Sequence, residues 1–302
     1  MAIGYTITDS SAIIRQPRTH VKPPRLPDVI PEPGRPTAAA AAGREGTPSS
    51  DPDFMLSLAR GLSVIRAFGD GGTALGVADV ARRTGMSRAA ARRCLHTLSV
   101  LGYASSADGL FSLTPAILSL GYAYLGSNAL AMAAQPVLER VSGQVHESSS
   151  LAVLDGDEIV YVARVATRRI LSIGLAVGSR LPAGSTSMGR AILAFSPDAH
   201  RARFLSRVKL KRYTPHTIVD RAQLRAELDR IREQGYALVD EELELGLRSL
   251  AVPVVRPDGV AVAAVNVGVH VGRADRATLI RELLPELRDA ARDIAAAAGL
   301  AR

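Results

Sequence analysis

The sequence predicts an α+β protein in which a small, mostly helical N-terminal domain is joined by a linker helix to a larger domain built on an antiparallel sheet. Three observations carry this. Apolar residues recur at helical spacing across residues 56–98, two strand pairs flank turns at Asp155-Gly156-Asp157 and Arg256-Pro257-Asp258-Gly259, and the helical stretches of the C-terminal half stand apart from its strands. Strands segregated from helices give an antiparallel sheet flanked by helices, whereas strict alternation would give a parallel one.

A chain of 302 residues with 47% hydrophobic content has material for two cores. Its net charge of +8 admits a polyanionic partner such as nucleic acid without requiring one. Cys94 is the sole cysteine, which excludes an intrachain disulfide and a thiolate metal cluster and fits a reducing cytoplasm. The sequence has neither a leader pattern nor an uncharged apolar run of about 18 residues, so a cytoplasmic protein without a membrane partner is expected.

Residues 1–52 hold nine of the 17 prolines, an alanine run and few large apolar side chains. Such a segment buries too little surface to offset its ordering entropy, and a disordered tail is predicted. The first domain is expected over residues 53–115. Its opening helix places Leu58, Leu62, Ile65 and Phe68 on one face and stops at Gly69, Gly71 and Gly72.

The next stretch, 77–88, has helix-turn-helix spacing. Ala81 is small enough for close helix crossing, Gly85 permits a positive φ at the turn, Met86 fills the space between the helices, and Ser87 caps the second helix. That helix runs to about Leu98, with Ala91, Cys94, Leu95 and Leu98 on its buried face. Ser87, Arg88, Ala89, Arg92, Arg93 and His96 are left as the candidate surface for double-stranded DNA. Arg88, Ala89 and Arg92 share the side nearest the helix start, where recognition helices meet base edges, and an arginine fork suits guanine or phosphate equally. Leu101-Gly102-Tyr103 and residues 108–113 read as two short strands of a wing. Residues 54–115 carry seven arginines against three acids. The competing reading is that these arginines only solvate helix surfaces.

A linker helix is expected over 116–127 and a second domain over 128–302, opening with a helix at 129–141. Strands are predicted at 149–165, broken by the Asp155-Gly156-Asp157 turn, at 170–177, and at 250–255 with 260–269. Helices are predicted at 188–195, 221–234 and 279–298. Ser185, Thr186 and Ser187 precede the first of these, so its free amides and positive dipole end form a candidate carboxylate site, with simple capping as the alternative.

Catalytic readings start from His146-Glu147, Asp155 with Asp157, and Glu241-Glu242-Glu244. None has a nucleophile, a metal-ligand spacing or a phosphate-loop lysine beside it, and each reads as structural or solvated. No catalytic residue, metal or cofactor is expected. An architectural DNA-binding protein would not need the second domain.

Several segments in order resemble the IclR family of transcriptional regulators: Ser57-Leu58-Ala59-Arg60-Gly61-Leu62, the helix-turn-helix, Phe111-Ser112-Leu113-Thr114-Pro115, Leu181-Pro182 with Ser187-Met188-Gly189-Arg190-Ala191, and Gly246-Leu247-Arg248-Ser249-Leu250-Ala251. Tyr161-Val162-Ala163-Arg164-Val165 with Thr167-Arg168-Arg169-Ile170 looks like the branch that regulates the β-ketoadipate pathway. The resemblance implies a winged helix-turn-helix, a GAF-like effector-binding domain, a homodimer or homotetramer on a pseudopalindromic operator, and an aromatic carboxylate effector such as protocatechuate or 4-hydroxybenzoate; other small carboxylates are the alternative. It also implies effector contacts at Ser187, Met188, Ser249 and Asn266, with Ile170 beside them. Val239 and Gly268 stand where polar residues are common in the family, which makes the cavity more apolar. Of Arg164, Arg169 and Arg180, Arg164 ranks first as partner of the ligand carboxylate.

Overall fold

The computed structural model describes residues 51–69, 73–167 and 175–300. The predicted tail therefore lies, up to Ser50, outside the described residues. Helix α1 (Leu56–Ala67) is followed by strand β1 (Leu75–Gly76), α2 (Val77–Thr84), α3 (Arg88–Val100), β2 (Ala104–Ala107) and β3 (Leu110–Leu113). These strands form an antiparallel sheet in the order β1-β3-β2.

Gly85 closes α2 in the left-handed region at φ +70°, and the Met86 amide donates back to the Ala81 carbonyl at 3.1 Å. Val64, Val80, Ala91, Leu95 and Leu98 make the core that α1, α2 and α3 share. Two expectations are corrected. Leu58 and Leu62 are 58% and 44% exposed; α1 docks instead through Val64, Ala67 and Phe68, the i, i+3, i+4 set of its C-terminal half. Leu101-Gly102-Tyr103 is not a strand but the turn that ends α3, with Gly102 at φ +79°, so the wing begins at Ala104.

A 3-10 turn at Pro115–Ile117 leads into α4 (Leu118–Leu125), which has no buried residue. Asn128 caps α5 (Ala129–Val145) by accepting from the Leu130 and Ala131 amides, and the chain bends by 98° between the two helical segments. Among the described residues no single helix is long and apolar enough to cross a membrane.

The larger sheet has the order β6-β5-β4-β9-β8-β7, made of β4 (Ser148–Asp155), β5 (Glu158–Val165), β6 (Arg180–Pro182), β7 (Ala237–Asp240), β8 (Leu247–Val255) and β9 (Ala261–His270). Every pairing is antiparallel. Four further helices are α6 (Ser187–Ala194), α7 (Asp198–Arg207), α8 (Arg221–Gln234) and α9 (Arg276–Ala297).

Alternation along each strand decides what covers each face. On β9, Val265, Val267 and Val269 point into one cluster with Leu138 and Val141 of α5 and Leu287 and Ile294 of α9. Ala264, Asn266 and Gly268 occupy the opposite face, where Ala152 and Ala251 of the neighbouring strands pack with residues of α6, α7 and α8. Small side chains on that face let α6 approach the sheet closely. The strand expected at 170–177 falls partly outside the described residues, and Leu175, Ala176 and Val177 form no strand; β6 takes that edge of the sheet instead. Elements β1, β6, β7 and α7 were not expected.

Candidate ligand pocket and nucleic-acid surface

Ser87 caps α3, its Oγ accepting from the Ala90 amide at 3.2 Å. Behind that cap Arg88, Ala89, Arg92, Arg93 and His96 are all exposed, while Cys94 is half-buried against the core. The two helices use their arginines differently. On α2, Arg82 pairs with Asp79 at 2.7 Å and Arg83 donates to the Ala67 carbonyl at 2.8 Å. On α3, Arg88, Arg92 and Arg93 have no carboxylate partner among the described residues, and the first turn holds no acid. The wing turns on Asp108 and Gly109, with φ of +52° and +78°, a conformation that suits a two-residue hairpin. Its strands carry no basic side chain, so serine hydroxyls and backbone amides are what they can offer a phosphate.

The pocket rests on two rungs of the larger sheet. Arg164, Ser150, Asn266 and Ala251 are paired in one rung across β5, β4, β9 and β8; Ser148, Gly268, Ser249 and Val239 form the next across β4, β9, β8 and β7. Residues two apart on a strand share a face, so both rungs look toward α6. Ser187 Oγ and Ser249 Oγ are hydrogen-bonded at 2.7 Å, Asn266 Nδ2 donates to Ser249 Oγ at 2.8 Å, and Arg164 Nη1 donates to Ser150 Oγ at 2.9 Å. Five of the predicted contacts, Ser187, Met188, Ser249, Asn266 and Arg164, line one cavity with about 710 Å³ of atom-free space, mouth included. Ile170, the sixth, lies outside the described residues, as does Arg169.

At the floor of this cavity α6 begins. Thr186, not Ser187, is the cap, its Oγ1 accepting from the Gly189 amide at 3.3 Å. The amides of Ser187 and Met188 belong to the first turn and have no acceptor within the helix. Gly189 is required by a close approach: a Cβ there would lie 2.2 Å from the Ala183 carbonyl oxygen. Beneath the same turn, Arg190 is 1% exposed and makes a two-pronged pair with Glu242 at 2.6 Å for each bond, its Nε donating to the Gly184 carbonyl at 2.8 Å. This pair ties the α6 start to the β7–β8 loop.

The electrostatics are set by unmatched groups. Arg164 has no carboxylate partner among the described residues, and its Nε is buried without an acceptor. Burial lowers its pKa from the ordinary arginine value, against the opposing pull of Tyr161. Tyr161, whose ring lies 6.0 Å below the guanidinium, is pushed up to about 12 by burial, which outweighs Arg164. Arg180, the competing arginine, is taken by Asp155 and Glu158 at 2.8 Å each. Asp240 turns away from the cavity toward Arg248 and Arg276; burial works against its charge, but those two cations prevail and lower its pKa. Leu175, Leu181, Val239, Leu243 and Leu247 supply an apolar part of the wall.

Of the residues weighed as catalytic, Glu147, Asp155, Asp157, Glu241 and Glu242 have structural partners. Glu147 pairs with Arg273 and Asp157 with Arg207. Glu242 is buried in its pair with Arg190, the structural one of the two readings of the 241–244 stretch, and Glu244 lines the cavity. No group of three or more metal-ligating side chains gathers among the described residues. Sequence reasoning missed Tyr161, Leu243 and Glu244. Tyr161 faces the cavity because a bulge makes Val162 an extra residue, Leu151 pairing with Ala163 and Ala152 with Tyr161.

Comparison with known proteins agrees with this architecture. Residues 57–107 match the IclR helix-turn-helix domain, and residues 122–296 match the family described as bacterial transcriptional regulator IclR C-terminal. A Pca regulon regulatory protein from Pseudomonas putida is 48% identical over 275 residues, 88% of this chain and 94% of the relative. A p-hydroxybenzoate hydroxylase transcriptional activator from Acinetobacter baylyi is 38% identical over 247 residues, 80% of this chain and 91% of the relative. Among solved structures, an IclR homolog complexed with 4-hydroxybenzoate from Microbacterium hydrocarbonoxydans superposes with a TM-score of 0.71 at 29% identity, covering 80% of this chain and 99% of that one. The chain belongs to the IclR family of bacterial transcriptional regulators.

Proposed function

We propose that this chain is a DNA-binding regulator of aromatic-acid catabolism, of the β-ketoadipate branch of its family, whose effector is a hydroxybenzoate-type acid such as protocatechuate or 4-hydroxybenzoate. The observation that carries the reading is the cavity itself. Apolar walls suit a ring, while Arg164 without a carboxylate partner and the first amides of α6 suit an acid group. A small aliphatic acid has no ring to set against the leucine side chains that line the cavity. The relatives point the same way: one is named for a Pca regulon, another is named as a p-hydroxybenzoate hydroxylase transcriptional activator, and a third was solved with 4-hydroxybenzoate.

In this reading Ser187, Met188, Ser249, Asn266 and Arg164 hold the effector, and Ile170 is retained as a contact. Ser87, Arg88, Ala89, Arg92, Arg93 and His96 face the operator. The tail is 1–52, the DNA-binding domain 53–115, the linker 116–127 and the effector domain 128–302. The regulator works in the cytoplasm as a dimer or tetramer, and catalyses no reaction. Exposed Leu58, Leu62, Leu118 and Tyr122 on α1 and α4 supply apolar surface for self-association.

A thermal-shift panel tests the effector claim. A ligand that binds only the folded state at a hundred times its Kd adds about 2.7 kcal/mol, or roughly 5–10 °C in melting temperature for a domain of this size. Protocatechuate or 4-hydroxybenzoate is expected to produce that shift. A shift with glyoxylate or pyruvate and none with any hydroxybenzoate would overturn the reading.

A further inference from the structure

We propose that Glu244 is the acceptor for a ring hydroxyl of the effector, and that this carboxylate makes the pocket select a hydroxylated aromatic acid over the unsubstituted one. The proposal rests on the aromatic-acid reading above and adds a specificity-determining residue to it.

Glu244 lies in the β7–β8 loop between Leu243 and Leu247, and all three line the cavity. Its Oε2 is buried and has no hydrogen-bond partner among the described residues. Every neighbouring carboxylate is used. Asp240 pairs with Arg248 and Arg276, Glu242 with Arg190, and Glu241 Oε1 accepts from the Gly246 amide at 2.8 Å. The loop that presents Glu244 is also held in place. Thr214 Oγ1 donates to the Glu241 carbonyl and Thr217 Oγ1 to the Glu242 carbonyl, both at 2.6 Å, and the Glu241 amide donates to the Leu247 carbonyl at 2.8 Å. A fixed acceptor with no donor is a preorganised recognition element.

The sign of the charge decides what can face it. A ligand carboxylate is repelled by Glu244 and attracted by Arg164 and the α6 amides, so the acid group turns toward the latter. Whatever faces Glu244 must donate a hydrogen bond, and the donor an aromatic hydroxy acid carries is its ring hydroxyl. An O–H···O⁻ bond is among the stronger kinds in proteins. An unsubstituted ring would leave the buried carboxylate oxygen without a donor, its desolvation uncompensated. Sites built around a ligand hydroxyl reject analogues lacking it far more strongly than apolar pockets reject a change in size.

Isothermal titration calorimetry on the full chain with benzoate, 3-hydroxybenzoate, 4-hydroxybenzoate and 3,4-dihydroxybenzoate provides the test. The wild type is expected to bind at least one hydroxylated acid about 100-fold or more tighter than benzoate, a conservative figure for hydroxyl recognition. In Glu244→Leu that ratio is expected to collapse to within about fivefold, because the hydroxylated acid loses its acceptor while benzoate no longer strands a charge. Glu244→Gln, nearly isosteric and still an acceptor through its amide oxygen, is expected to fall between the two; it carries the test if the leucine variant does not fold. Ratios unchanged in the folded variants would overturn the role of Glu244. A wild type that binds benzoate as tightly as the hydroxylated acids would overturn it too, while leaving the aromatic-acid reading intact. A wild type that binds none of the four defeats both.

Discussion

At the scale of single residues, the start of α6 depends on Arg190 and Glu242 more than on the polar residues that touch the cavity. Arg190 is 1% exposed, and its guanidinium is satisfied by Glu242 and the Gly184 carbonyl; Glu242 Oε2 in turn accepts from the Ile218 amide at 2.9 Å. A buried pair of this kind contributes little net stability over an apolar replacement, but removing one partner strands the other charge. Glu242→Gln is therefore expected to lose about 3–5 kcal/mol in urea unfolding, and the double variant Arg190→Met with Glu242→Leu to recover most of it. A single variant within about 1 kcal/mol of wild type would mean that the pair is not coupled to the fold. Both variants should also weaken effector binding, because the pair joins the α6 turn to the loop carrying Leu243 and Glu244. The pairing was not legible in the sequence: Glu241-Glu242-Glu244 reads as structural or solvated without naming a partner, and only the fold brings Arg190, some fifty positions earlier, beneath it.

Among the elements, the helix-turn-helix and the four central strands were readable, because each rests on local chemistry. Gly85 takes the positive φ that its position demands, Ser87 caps α3, and the Val-rich alternation of β9 separates a valine face packed on α5 and α9 from a small-residue face packed on α6. The edge elements were not readable. Strand β1 has two residues, β6 three and β7 four, too short for a periodic signal, and the bulge at Val162 defeats strict alternation from Arg164. The same local chemistry gives a prediction for α3. Arg88 and Arg92 are exposed one turn apart and have no carboxylate partner among the described residues, so their replacement should cost DNA affinity without cost to the core. Arg88→Ala with Arg92→Ala is expected to weaken operator binding at least tenfold in a gel-shift assay, or about 1.4 kcal/mol, and to leave the melting temperature within a few degrees of wild type. A base-reading arginine would also relax sequence preference at its position, whereas a phosphate-binding one would weaken all sequences alike and lower the salt dependence. Operator affinity and sequence preference both unchanged would remove the pair from the interface.

For the whole molecule, an effector site on one domain and a DNA surface on the other have to be coupled through something that both can bias. The covalent route runs from the sheet through α5, which packs on the valine face opposite the pocket, across the bend at residues 126–128, and into α4. Helix α4 has no buried residue, so its direction is set by its ends rather than by packing along its length. A stiff bend would transmit a shift of α5 to the DNA-binding domain, and a slack one would absorb it. Inserting two glycines after Ser127 therefore separates coupling from binding. In the wild type, a saturating hydroxybenzoate is expected to change operator affinity by at least about fivefold in either direction, and operator DNA must change effector affinity by the same factor, since linkage is reciprocal. In the insertion variant both ligands should still bind, each with an affinity close to its wild-type value in the absence of the other, while the coupling factor falls toward one. Fluorescence anisotropy of labelled operator, titrated with and without effector, reads both quantities in one experiment. If the coupling factor survives the insertion, the signal does not travel through the bend, and contacts made by the assembled oligomer must carry it instead.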